Sequence, residues 1–213
     1  TYLDDQFAYE ELVARQGASG FFRADIDSTR MRNSAMFMGA DGITLFSSTM
    51  PAATVDLCKA LGMEARTNKN GYSGLTKLFN DILGERYVLS RTNSETLYQM
   101  KQVDYVEPLH MYENGNALSL GFMVDSSVKE WNIYAGGHTN IQNQFIELAT
   151  GMDPIFSLYQ TIQMEEGETY TIVLPEGYQA YLDVNTAVDE LTITTPEYSK
   201  TYETYNDHLF DLG

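Results

Sequence analysis

The sequence is poor in cysteine and in basic residues, and it has no long apolar run. Cys58 is the only cysteine of 213 residues, which excludes an intrachain disulfide and argues against a small secreted domain built on disulfides. Its place among apolar helix positions between Val55 and Leu61 favours a buried, inert thiol over a nucleophile. The longest apolar runs are too short to span a bilayer. The first residues lack the basic and apolar stretches of a signal peptide, so we expect any export signal to lie outside this sequence.

Basic residues are outnumbered by acidic ones in the chain as a whole. Lys and Arg number 13 against 30 Asp and Glu, which gives a formal net charge of −17. This balance disfavours nucleic acid and anionic membrane surfaces, which attract Lys and Arg patches, so no nucleic-acid partner is expected. An acidic, solvated surface that keeps the protein soluble accounts for most of the charge. The 43% hydrophobic and 12% aromatic content is that of a folded globular protein.

Several motifs of catalysis and cofactor binding are also missing. The phosphate-binding loop, the dinucleotide fingerprint and the Gly-x-Ser-x-Gly elbow do not occur, and none of the three histidines has a second ligand at metal spacing. Ser126 and Lys129 match Ser-x-x-Lys, but the companion motifs of that enzyme class are absent. We therefore expect no cofactor, no zinc and no complete catalytic constellation.

Asp25 and Asp27 are the candidate metal ligands of the chain. They form an Asp-x-Asp on a predicted strand, which places both carboxylates on one face, where such pairs can hold a divalent ion. The alternative is an ordinary solvated strand face. The second group of candidates are tyrosines of the C-terminal part, whose rings could contact a glycan or could serve packing. These candidate glycan contacts are Tyr178, Tyr181, Tyr202 and Tyr205.

Helix and strand signals alternate through the first 152 residues. Caps, one-face apolar spacing and glycine stops predict helices over Leu3–Gln16, Pro51–Leu61, Leu75–Leu83 and Asn140–Thr150. β-rich runs predict strands over Phe21–Asp27, Gly42–Ser48 and Arg86–Ser90. The Asn-Gly pair at Asn114 and Gly115 predicts a hairpin between strands Val103–Met111 and Ala117–Val124.

The pattern changes after Pro154. Four β-type runs separated by turn residues are typical of a β-sandwich: Tyr170–Leu174, Tyr178–Val184, Leu191–Thr195 and Tyr198–Tyr205. The predicted fold class is α+β, with an N-terminal α/β part (residues 1–152) that holds a mixed sheet and about three or four helices. An all-β, sandwich-like part (residues 153–213) follows. The two parts could be separate domains or one body.

Short segments between residues 20 and 155 follow the order and spacing of a known family. They are Gly42–Met50, Ala60–Gly62, Asn70–Thr76, Ile82–Leu89, Tyr112–Asn114, Ala117–Val124 and Asn143–Phe145. On these segments the chain resembles the YfhO family of bacterial membrane proteins, whereas residues 153–213 match that family only in general character.

The resemblance implies a parent protein with many transmembrane helices that transfers sugar from a lipid phosphosugar to cell-wall polymers, lipoteichoic acid in particular, in Gram-positive bacteria. This chain would be an extracellular accessory domain on the outer face of the cell membrane, without activity alone. Its partners would be the transmembrane part of the same polypeptide and a cell-wall glycan or polymer. The catalytic carboxylate is expected in an early extracellular loop outside this sequence. The resemblance therefore assigns no catalytic residue here.

One tension and two rival hypotheses accompany this interpretation. A domain at −17 repels an anionic phosphate polymer, although salt screens the effect beyond about 8–10 Å. Either cations mediate the contact or the acidic surface faces away from the polymer.

The first rival is a glycan-binding or adhesion module that uses the C-terminal tyrosines. The second is a free-standing hydrolase that uses Asp25 and Asp27.

Overall fold

Helices are concentrated in the first 150 residues of the chain. The computed structural model describes residues 1–17, 20–73, 75–185, 187–196, 198–205 and 208–212, with the backbone alone over 203–205. The helices are α1 (Tyr2–Arg15), α2 (Ser34–Phe37), α3 (Ala52–Ala60), α4 (Lys77–Ile82), a 3-10 helix (Ser126–Glu130) and α5 (His138–Thr150). Each of the four predicted helices is present, with bounds that differ by a few residues.

The local causes of these helices are capping and one-face burial. Thr1 and Asp4 form a capping box at the start of α1, and the hydroxyl of Thr76 caps α4 by accepting from the backbone N–H of Phe79. Helix α5 ends at Gly151, whose φ of 72° is the left-handed conformation that glycine adopts without strain. These ends need no tertiary contact, and the predicted ends of α1, α4 and α5 lie within two residues of the observed ones, although the caps at Thr1 and Thr76 were not predicted.

The strands form one mixed sheet and three small antiparallel ones. The strands are β1 (Arg23–Ile26), β2 (Leu45–Phe46), β3 (Ala65–Arg66), β4 (Lys69–Asn70), β5 (Glu85–Ser90), β6 (Thr96–Leu97), β7 (Met100–Val106), β8 (Leu109–Glu113), β9 (Tyr181–Val184), β10 (Val188–Thr194), β11 (Ser199–Tyr205) and β12 (His208–Asp211). The five-stranded sheet has the order β1-β5-β8-β7-β6, with β1 parallel to β5 and the other pairs antiparallel. The fold class is α+β with a mixed sheet, as predicted.

The mixed sheet separates two apolar clusters. Tyr87 and Leu89 of β5 pack on the α1 side with Leu12, whereas the intervening Val88 joins the cluster on the other side. Successive strand residues point to opposite faces, so one strand serves both clusters. The second cluster includes residues of α3, α4 and α5 and also Leu191, Tyr202 and others of the C-terminal strands. The two predicted parts thus share one core cluster, and their division at residue 152 stays a prediction.

The predicted hairpin around Asn114 and Gly115 is wrong. Strand β8 does form a hairpin, but its partner is the preceding β7, and the turn lies at Glu107 and Pro108. Residues 117–124, all of them described, contain no strand. The reason is that β8 already pairs with β5 on one edge and β7 on the other, so no edge is left for a further strand. Asn114 instead donates from its side chain to the backbone carbonyl of Glu85.

The predicted strand Tyr170–Leu174 is also wrong. Residues 151–180 are all described and contain no helix or strand. No neighbouring strand pairs with this segment, and β propensity without a partner does not make a strand. The C-terminal strands pair as two ribbons instead, β10 with β11 and β12 with β9.

Cys58 lies on α3 with 7% of its surface exposed, so its predicted burial on a helix is confirmed. Burial raises the pKa of its thiol, which lowers the reactive thiolate fraction at neutral pH. We expect slow reaction with a thiol reagent in the native protein and fast reaction in denaturant, measured by absorbance. Equal rates in both conditions would contradict this placement of α3.

Candidate functional site

A cleft of about 900 Å³ opens beside the carboxyl end of β1. Its walls come from the loop that follows β1, the β3–β4 hairpin, the last turn of α3 and strand β11. The lining residues are Ile26, Asp27, Ser28, Thr29, Arg30, Arg32, Thr44, Lys59, Met63, Glu64, Ala65, Arg66, Lys69, Gly71, Tyr72, Ser73, Lys200, Thr201, Tyr202 and His208. Segments from both predicted parts of the chain therefore build one site.

The cleft is basic, in contrast to the rest of the chain. Six of the 13 Lys and Arg residues line it, against two carboxylates. The cations are Arg30, Arg32, Lys59, Arg66, Lys69 and Lys200. The cleft thus has a formal surplus of four positive charges, whereas the remaining seven cations face 28 carboxylates elsewhere. A concave site of one sign concentrates ions of the opposite sign, so this cleft is suited to an anion.

Glu64 holds two of the cations in place. Its carboxylate accepts from Arg32 at 2.5 Å and from Lys69 at 3.1 Å. Burial opposes the charge of Glu64, but these two partners outweigh it and hold the pKa of the carboxyl below its usual range. Gly71 leaves room for the pair, because a Cβ there would lie 2.6 Å from Glu64 Oε2 and 3.1 Å from Arg32 Nη1. The pair is therefore a built feature of the cleft wall.

The other cations of the cleft differ in whether they already have an ion-pair partner. Arg30 pairs with Asp5 at 2.9 Å, and Lys200 lies 3.9 Å from Asp27 and over the ring of Tyr202. Lys59 and Arg66 are exposed. Within the described part of the chain, neither of them makes an ion pair or a side-chain hydrogen bond, so both are available to a ligand.

Ser73 and His208 meet at the cleft, with 3.0 Å between Oγ and Nε2. Burial lowers the pKa of His208 to about 4. The imidazole is therefore neutral at pH 7, adds no positive charge, and is a poor general base, because a base works best with a pKa near the working pH. We interpret the pair as a partly buried hydrogen bond that connects β12 to the cleft wall.

Asp25 does not lie on a solvated strand face. Its side chain is buried and accepts from the backbone N–H groups of Ile43 and Thr44, the latter at 3.0 Å. Burial raises the pKa of Asp25, and burial followed by the charge of Asp25 raises that of the buried Glu85 well above its usual range. Both oxygens of Asp25 thus serve to fix the 43–44 backbone on β1.

Asp27 lines the cleft, but its carboxylate already has partners. It accepts from the hydroxyls of Ser90 at 2.9 Å and Tyr98 at 3.1 Å. Among the residues with described positions, no three His, Cys, Asp or Glu side chains are grouped so as to hold a metal ion. The Asp25 and Asp27 pair is built into the fold rather than open to a ligand.

The candidate tyrosines do not share one surface. Tyr178 is 73% exposed, and Tyr181 is half-buried and accepts from the backbone N–H of Lys77. Tyr202 is buried against Phe210, with 4.6 Å between ring centroids, and lines the cleft. The side chain of Tyr205 lies outside the described residues. Of the three that are described, Tyr178 is the one with an open ring face for a glycan.

Sequence reasoning missed the cleft and the residues Lys59, Glu64 and Arg66. Their types carry no motif, and the rest of the cleft lining comes in part from the distant residues 26–32 and 200–208. The one signal was clustering, since five of the 13 basic residues lie between positions 30 and 69 of an acidic chain.

Comparison with known proteins gives one match. The family model described as bacterial membrane protein YfhO matches residues 1–208. Neither the curated proteins nor the solved structures gave a match. Across the described residues, none of the helices combines the length and the apolar character needed to cross a bilayer.

Proposed function

Because this chain belongs to the YfhO family of bacterial membrane proteins, we propose that it is the extracellular accessory domain of a multi-pass membrane glycosyltransferase that acts on cell-wall polymers such as lipoteichoic acid. In this role the domain lies on the outer face of the membrane beside the transmembrane part of the same polypeptide. It binds and positions the acceptor and transfers no sugar alone.

The observation that carries a binding role is the basic cleft in an otherwise acidic chain. A surplus of four positive charges in a concave site favours an anionic ligand, while the acidic surface elsewhere repels it. The cleft thereby offers an answer to the conflict between the net charge and an anionic polymer. Catalysis by this chain has less support, because Asp25 is occupied by backbone donors and His208 is a poor base at neutral pH.

A glycan-binding or adhesion module is the second candidate, and the exposed ring of Tyr178 is the observation in its favour. The two roles differ in the ligand they require. An adhesion module requires a neutral glycan, which it binds through Tyr178. The accessory domain requires an anionic acceptor polymer, which it binds at the basic cleft for its parent transferase.

Two measurements test the accessory role. The purified chain, incubated with lipid-linked phosphosugar and polymer acceptor, should transfer no sugar. Cells whose parent protein lacks residues 1–208 should make polymer with less attached sugar, measured by mass spectrometry, while the shortened protein reaches the membrane in normal amount.

Transfer by the purified chain would move the chemistry into this domain and contradict the proposal. Full glycosylation by the shortened parent would contradict it equally, because the domain would then contribute nothing to the reaction.

A further inference from the structure

We propose that the basic cleft binds a soluble polymer through several phosphate groups, with Lys59 and Arg66 as the cations that contact the ligand directly. The identification of that polymer with a cell-wall acceptor rests on the function proposed above. The assignment of phosphate-bearing ligands to this cleft rests on the charges and contacts of the cleft itself.

Positive charge is concentrated at the cleft. Six cations from four segments of the chain converge on one cleft, while Asp27 and Glu64 oppose them among the lining residues and Asp5 pairs with Arg30 from outside the lining. Outside the cleft lining, the chain as a whole carries seven cations and 28 carboxylates. Since salt screens charges beyond about 8 Å under physiological conditions, the cations that line the cleft dominate the interaction once the ligand has entered.

The cleft cations fall into a structural group and a group that is free to bind a ligand. Arg32 and Lys69 are half-buried and held by Glu64, so they pre-form the wall and add positive charge from a fixed position. Lys59 and Arg66 are exposed, and no described carboxylate pairs with them. A phosphate that displaces only water from these two side chains gains charge-assisted hydrogen bonds without breaking an internal ion pair.

The side chains and the size of the cleft indicate the class of anion that it binds. The hydroxyl residues of the lining already hydrogen-bond within the protein, so the arginine and lysine side chains are the groups that the cleft offers to an anion; these hydroxyl residues are Ser28, Thr29, Thr44, Ser73 and Thr201. Arginine forks match phosphate geometry, and lysine adds a point charge. A volume of about 900 Å³ is far larger than one phosphate group, so the ligand that fills it is a chain with repeated charges.

The scarcity of apolar surface in the cleft favours a soluble polymer over a lipid headgroup. Membrane association needs apolar side chains that can enter the acyl region beside the cations. The aliphatic residues among the cleft lining are Ile26, Met63 and Ala65, of which Ile26 and Met63 are buried, so the cleft presents little apolar surface to a bilayer.

The test is a calorimetric titration of the 213-residue chain with a glycerol phosphate oligomer joined by phosphodiester bonds. We expect saturable binding that weakens as salt is added. Lys59→Ala/Arg66→Ala should weaken it by about tenfold or more, because two direct contacts are lost. The matched control is Lys101→Ala/Lys129→Ala, which removes two exposed cations that do not line the cleft. This control should stay within about twofold of the unmodified chain.

Four results would overturn the inference. They are no binding by the unmodified chain, equal weakening by the two double variants, equal affinity for polyglutamate of matched charge, and binding to vesicles that contain phosphatidic acid but not to the oligomer. Loss of the accessory role is a separate outcome, because it is measured as sugar transfer by the parent protein, while the cleft is tested by direct binding.

Discussion

Replacement of Phe79 by alanine should lower the free energy of unfolding by about 3–5 kcal/mol, the range for removing a buried aromatic ring. Phe79 is 2% exposed and lies between Trp131 and Phe145, with ring centroids 6.2 and 5.7 Å away. Its ring thus joins α4 to α5 and to the segment that follows the 3-10 helix. Chemical denaturation followed by circular dichroism measures the change without relying on the fluorescence of Trp131.

Leu78→Ala is the matched control on the same helix. The apolar spacing of the sequence gives Leu78 and Phe79 the same expected cost, about 2–5 kcal/mol. The structure separates them, because Leu78 is only partly buried. We therefore expect Leu78→Ala to cost clearly less than Phe79→Ala. A cost below about 0.5 kcal/mol for Phe79→Ala, as at a surface site, would mean that the inner face of α4 is wrongly placed.

Replacement of Asp25 by alanine is the second change with a large expected effect, about 2–5 kcal/mol of lost stability. The variant leaves the buried N–H groups of Ile43 and Thr44 without their acceptor. Asp25→Asn should also destabilise, because its amide NH₂ would face one of these donors. Denaturant titration at pH 7 measures both variants.

Asp27→Asn is the control for this pair. The donors to Asp27 from Ser90 and Tyr98 are hydroxyl groups, which can rotate and accept from an amide, so we expect a cost below about 1 kcal/mol. An Asp25→Ala variant as stable as the unmodified chain would show that the 43–44 backbone does not depend on Asp25. The double variant Asp25→Asn/Asp27→Asn can also be made in the parent protein. If this variant is stable and reaches the membrane but no longer transfers sugar, these two carboxylates take part in the reaction.

The candidate residues show how much of a site a sequence pattern can predict. The alternation of strand β1 correctly places Asp25 and Asp27 on the face opposite Ala24 and Ile26, because that periodicity is local. The alternation does not show which segment packs against that face. The loop at Ile43 and Thr44 covers Asp25, so an interpretation as a solvated face was wrong for this residue.

The hairpin prediction failed for a related reason. An Asn-Gly pair favours a tight reversal wherever a free strand edge is available. Strand β8 has no free edge, because β5 and β7 occupy both, and the side chain of Asn114 is used to connect the sheet to the α4 region. Which strands occupy the edges of β8 depends on the topology of the whole sheet, so it cannot be read from the sequence of residues 113–124.

The sequence by itself determined the helices α1, α3, α4 and α5, the strand β5 that follows α4, the buried thiol and the α+β class. These features depend on caps, glycine stops and periodic burial, which act within about a dozen residues. The tertiary structure alone decided the basic cleft. Net charge is a sum over the chain and does not state position. Lys200 joins the cations of residues 30–69 only because β11 packs beside the loop that follows β1. A chain at −17 can therefore present a positive site.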